Sequence, residues 1–199
     1  MITRKEMTRM LLKEGLLSWL ANNSFESVTV TSLCKASGIT RSTFYLHYSN
    51  IMEIVDDLVD DAIAYSKPGM VDNNNLQTIA NTLSAASNSV ALREAYDSIF
   101  DRLPLCQRII RHKKYLPLFL DEQISEYVLQ RIIGREKDRQ GLVIAESLGI
   151  SFDVGVSVFV FLVHGLYAVN KQYKWSQSDE WLEAQKIIFK LVYRGLQSR

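Results

Sequence analysis

The chain has 199 residues, 47% of them hydrophobic, with 23 Lys and Arg against 22 Asp and Glu. Such a composition can bury a sizeable core, which excludes a disordered chain or a charged tail. Two cysteines, Cys34 and Cys106, are too few for a disulfide scaffold and lack metal-ligand spacing, so neither a metal nor another cofactor is expected.

The near-zero net charge hides an asymmetry. Residues 1–48 hold Arg4, Lys5, Arg9, Lys13, Lys35 and Arg41 against Glu6, Glu14 and Glu26, whereas residues 49–65 hold only the acids Glu53, Asp56, Asp57, Asp60 and Asp61. A basic surface facing an anionic partner would therefore end near residue 48. No charged-then-apolar leader opens the chain, and no run of about 18 apolar residues is read as able to span a bilayer. The expectation is a cytoplasmic protein with no membrane partner.

Prolines and glycines are few, and apolar residues recur at three- and four-residue spacing, so the predicted fold class is all-α. The first helix is expected over Ile2 to Asn22, with Met7, Met10, Leu11, Leu17 and Leu20 inward and Thr3, Arg4 and Lys5 displayed at its start. A second opens at Thr29, whose hydroxyl can cap a backbone N–H, and turns Val30, Leu33, Cys34 and Ala36 to one face. Gly38 suits the left-handed stop of that helix, and Thr40 can cap the next.

The third helix crowds Arg41, Ser42, Thr43, Tyr45, His47 and Tyr48 together, leaving Ile39, Phe44 and Leu46 as apolar anchors. Helix, glycine turn and donor-rich helix is the helix-turn-helix pattern, whose second helix enters the major groove. Arg41 in its first turn can bond guanine O6 and N7 together, while Thr43, Tyr45 and His47 suit phosphate oxygens. The cysteine at 34 reads as a packed thiol. A fourth helix over 50–66 would bury Ile51, Ile54, Val55, Leu58, Val59 and Ile63 and turn its acids to water.

Pro68-Gly69 and the asparagines at 73 and 74 mark a boundary over 67–74. Further helices are predicted at 75–90, 92–102, 104–113, 117–135, 151–174 and 178–197, with a charged connection at 135–141. The organisation is thus a DNA-binding domain at 1–48, a connecting helix at 49–66 and a helical domain at 75–199. Phe152, Phe159, Val160 and Val163 make the 151–174 helix apolar around much of its circumference. Gly155 and Gly165 permit close approach. With Trp181, Leu182, Ile187 and Leu191 on the last helix, this predicts a four-helix homodimer interface.

Residues 4–65 resemble the DNA-binding domain of the TetR family of transcriptional regulators. Phe25-Glu26, Thr29-Val30, Ala36-Ser37-Gly38-Ile39-Thr40 and Thr43-Phe44-Tyr45-Leu46-His47-Tyr48 fall in the family's register. The resemblance implies a dimeric repressor released from a palindromic operator by a small-molecule effector. It implies DNA contacts from Thr3, Arg4, Lys5, Thr29, Thr31, Thr40, Arg41, Ser42, Thr43, Tyr45, His47 and Tyr48.

It also implies an effector pocket among the middle helices, for which Tyr96, Phe100, Tyr115, Phe119, Tyr127, Phe159, His164 and Tyr167 are the candidates. The cluster Arg108, Arg111, His112, Lys113 and Lys114 reads as a solvated face. Two departures weaken phosphate attraction: Asn50-Ile51 replaces the family's lysine, and Thr31 replaces an often basic residue. The alternative is a TetR-fold co-regulator working through protein contacts of its C-terminal domain. No catalytic residues are expected, since phosphate loops, zinc-protease motifs and nucleophile elbows are missing.

Overall fold

The computed structural model describes residues 3–65, 75–103, 107–108 and 113–197, with side chains omitted at 75, 76, 196 and 197. Within them the fold is all-α, as predicted: ten α-helices, two 3-10 turns and no strand. The chain forms two compact units, Met1–Ser66 with His112–Ile132, and Lys67–Arg111 with Ile133–Arg199. This division differs from the linear one expected, because residues 112–132 pack with the N-terminal unit. The boundary expected at 67–74, Cys106, Arg111, His112 and most of the 104–113 helix lie outside the described residues.

In the first unit α1 spans Arg4–Leu20, opened by a reciprocal cap in which the Thr3 hydroxyl accepts from the Glu6 N–H and the Glu6 carboxylate accepts from the Thr3 N–H. It buries Thr8, Leu12, Leu16, Leu17 and Leu20, and leaves Met7, Met10 and Leu11 exposed. Of the five residues expected inward, Leu17 and Leu20 are buried and Met7, Met10 and Leu11 are not. Both sets have helical spacing, and packing against α2 (Val30–Ser37) and α4 (Ile51–Tyr65) selects the one that holds Leu12 and Leu16. Each such leucine contributes about 1.5–3 kcal/mol of burial.

Helix α4 buries Ile54, Val55, Leu58, Val59, Ala62 and Ile63. Its acids do not simply face water. Asp57 accepts from Arg9 and from the Tyr48 hydroxyl (2.6 Å), Asp61 pairs with Lys13, and Asp56 accepts from the Tyr127 hydroxyl (2.6 Å) and lies 3.4 Å from Arg131. The short α7 (Leu116–Leu120), with Pro117 at its start, buries Leu118 and Phe119 beside α1. The Phe25 N–H donates to Asp121 just after α7 (2.7 Å).

The second unit holds α5 (Asn75–Ala85), α6 (Ser89–Ser98), α9 (Phe152–Gln172) and α10 (Asp179–Gln197). Its core joins Ile79, Leu83, Leu92, Tyr96, Leu166, Trp181 and Phe189. Helix α8 (Ser125–Leu148) begins in the first unit and continues in the second. It runs unbroken through 135–141, where a connection was expected. Arg, Lys, Glu and Gln are good helix formers, and Arg139 pairs with Glu136 one turn earlier. Gly149, at φ +61°, follows its last residue.

Gly155 of α9 lies against Gly141 of α8 so closely that a Cβ there would come within 2.3 Å of the Gly141 carbonyl oxygen. A Cβ at Gly165 would meet nothing within 4 Å, so only the first of the two expected close approaches occurs within the described chain. By length and composition α9 could also cross a bilayer, with a mean hydropathy of 1.9 over its best window, contrary to the expectation that no such run exists. Only 22% of that window is buried.

Candidate nucleic-acid interface

Three short-range devices shape the surface from residue 3 to residue 53. The first is the α2 cap, where the Thr29 hydroxyl accepts from the Ser32 N–H (3.0 Å) and the Ser32 hydroxyl accepts from the Thr29 N–H (2.9 Å). The second is Gly38, at φ +67°, which closes α2 with its N–H directed at the Lys35 carbonyl (3.4 Å). The third is Thr40, whose hydroxyl accepts from the Thr43 N–H (3.2 Å) to open α3, Arg41–Tyr45. Cap, left-handed glycine and second cap all stand where the sequence placed them.

Helix α3 is short, with Phe44 fully buried beneath it. Its outward face carries Arg41, Ser42, Tyr45 and Leu46, of which Tyr45 is 52% exposed and Leu46 80%. Leucine 46 was expected as an anchor. It falls at the end of the helix on the turn above Ser42, where no element covers it, so that expectation fails. Ala36 is likewise exposed rather than packed. Arg4, Lys5, Thr31, Lys35 and Arg41 are exposed, and among the described residues the four cationic groups of Arg4, Lys5, Lys35 and Arg41 have no ion-pair partner. Arg9 and Lys13, the other two basic residues of this segment, are neutralised by Asp57 and Asp61.

The remaining expected contacts divide. Thr3, Thr29 and Thr40 are exposed, but their hydroxyls already serve as helix caps. Thr43 and His47 are half-buried, and the imidazole Nδ1 of His47 is buried without a partner. Tyr48 is buried, its hydroxyl held by Asp57 and its ring 4.8 Å from the Arg9 guanidinium carbon. Burial and the bond to Asp57 push this phenol well above its ordinary range, and the same carboxylate raises Arg9. An outward contact from Tyr48 is therefore replaced by a structural one. Hydroxyl-bearing residues at helical spacing do not announce which of them the neighbouring helix will claim.

At the start of α4 the Asn50 side chain accepts from the Glu53 N–H (3.1 Å), and the Glu53 carboxylate accepts from the Ser49 N–H (2.8 Å). The helix start that lacks the expected lysine at Asn50-Ile51 thus carries the Glu53 carboxylate, bonded to the Ser49 N–H.

The eight effector-pocket candidates are divided between the two units. Tyr115, Phe119 and Tyr127 belong to the first unit and the other five to the second. Tyr115 and Phe119 are buried there, and Tyr127 is 39% exposed with its hydroxyl on Asp56. In the second unit Tyr96 meets Trp181 edge-on (5.1 Å) and donates to the Gln107 carbonyl oxygen (3.1 Å), Tyr167 packs on Trp175, and Phe100, Phe159 and His164 are half-buried. The Gln107 amide donates to Gln185 (3.0 Å) and the Trp181 ring N–H to Asn170 (2.9 Å). Both glutamines and the asparagine are fully buried, a polar string that apolar spacing could not reveal.

The expected basic face also divides, since Arg108 is buried with a bond to the Asp101 carbonyl and Lys114 pairs with Glu14 (2.5 Å). No group of three or more metal-binding side chains occurs among the described residues. No protein-family model matches the chain, and no curated protein matches it.

Proposed function

We propose that this chain is a DNA-binding transcriptional regulator of the TetR kind, acting as a homodimer on a palindromic operator. The observation that carries the reading is the outward face of α3. Arg41, Ser42 and Tyr45 stand clear on a short capped helix behind a left-handed glycine, and the same N-terminal segment carries the exposed cations Arg4, Lys5 and Lys35, without an ion-pair partner among the described residues. These features support a recognition helix, with base-edge donors outward and cations for phosphate on the same segment.

Release by a small-molecule effector is part of the proposal. It is supported by the buried amides of Gln185 and Asn170, each of which keeps an N–H without a partner in the second unit, a costly state that an acceptor atom would relieve. Dimerisation is supported by the apolar residues that α9 and α10 leave uncovered. The co-regulator reading draws on the Glu53 carboxylate at the head of α4, which opposes phosphate.

Selection from a random duplex library with the full chain decides between these readings. The regulator should retain fragments with two inverted half-sites about 34–36 Å apart. Retention of no sequence above background would reject it. A metabolite panel screened first for a rise in Tm and then for release of the selected duplex tests the effector.

A further inference from the structure

Leu46 is 80% exposed, more than any other large apolar side chain among the described residues. It continues α3 in helical geometry (φ −74°, ψ −17°), one turn beyond Ser42 and beside Tyr45, while Phe44 points into the core. A single surface leucine is ordinary on a solvated helix. This one adjoins a face otherwise made of Arg41, Ser42 and Tyr45, on a segment whose exposed cations Arg4, Lys5, Lys35 and Arg41 have no ion-pair partner among the described residues.

A leucine can neither donate to nor accept from a phosphate. On the major-groove edge of the bases, the C5 methyl of thymine is the group that an apolar side chain can cover. We propose that Leu46 is a specificity-determining residue that packs on a thymine methyl in the operator half-site. Five residues along a helix correspond to about 7.5 Å, so this thymine lies roughly two base pairs from the pair read by Arg41. The inference rests on the DNA-binding reading and deepens it by assigning one base.

The test starts from the duplex selected with the full chain. Each thymine in turn is replaced by deoxyuridine, which removes the methyl and keeps base pairing. Fluorescence anisotropy then compares the wild type with Leu46→Ala, a change at an exposed position that leaves the core intact. One thymine per half-site is expected where deoxyuridine weakens wild-type binding about three- to tenfold, with no further loss in Leu46→Ala. Tolerance of deoxyuridine at every position, or an equal penalty in both proteins, overturns the assignment and leaves DNA binding standing. If no duplex is selected at all, the DNA-binding reading falls and this inference with it.

Discussion

Arg41 and Tyr48 lie seven residues apart in a donor-rich segment, and their surroundings give them opposite tasks. Arg41 is exposed with no ion-pair partner among the described residues, so its planar fork can meet guanine O6 and N7. Replacing Arg41 with Ala should cost about 1–3 kcal/mol on the selected duplex and relax preference at one base pair. Anisotropy titrations against single-base variants measure both effects. Unchanged affinity would remove Arg41 from base reading.

Tyr48 instead ties the end of the α3 segment to α4 through Asp57, which also holds Arg9. In the folded state the phenol keeps its proton above its ordinary pKa, whereas in the unfolded chain it titrates near pH 10. Its contribution to stability is complete below about pH 10 and is lost as pH rises further. Melting curves between pH 8 and 11 should show a steeper alkaline fall in Tm for the wild type than for Tyr48→Phe. Parallel curves would contradict the assignment.

Among the helices, α2 and α3 depend on local devices and α1 on its neighbours. Gly38 sits at φ +67° with open space around the point where a Cβ would stand, so Gly38→Ala meets no clash and tests backbone conformation alone. The left-handed region costs a residue with a Cβ about 1–2 kcal/mol, which for a chain of this size lowers Tm by about 2–8 °C. Thermal denaturation measures this, and an unchanged Tm would mean that the turn can adopt another geometry. Apolar residues of α1 allow more than one inward face, and packing against α2, α4 and α7 turns Leu12 and Leu16 inward rather than Met7, Met10 and Leu11. The unbroken run of α8 through 135–141 has a similar lesson. A dense charge cluster resembles a loop in composition, yet its Arg and Glu residues favour a helix, and Gly149 is the stop signal that marks its end.

At the scale of the molecule, the C-terminal helices leave apolar side chains exposed in stripes at helical spacing. Val154, Phe161, Gly165 and Ala168 follow helical spacing along α9, with Phe161 72% exposed, and Ile187 and Leu191 do so on α10, with Leu191 66% exposed. A second copy meeting these stripes would bury them symmetrically, as the proposed dimer requires. Sedimentation at micromolar concentration should give a dimer for the wild type. Phe161→Asp or Leu191→Asp should give a folded monomer that binds the selected duplex poorly, because a carboxylate buried in an apolar interface is costly. A dimer that persists in both variants would place the interface elsewhere.

The sequence alone determined what depends on neighbours a few residues away. The all-α class, the Thr29 and Thr40 caps, the left-handed Gly38 and the stripe of α4 each follow from backbone hydrogen bonding or helical periodicity within one or two turns. Tertiary structure decided which of several locally equivalent side chains would be used. It turned Leu46 outward and Tyr48 inward, and it joined residues 112–132 to the N-terminal unit. It neutralised Arg9 and Lys13 with acids 48 residues further along the chain, leaving Arg4, Lys5, Lys35 and Arg41 as the free charges. Exposure and ion pairing depend on contacts between elements distant in the chain, and helical spacing carries no record of which face another helix will cover.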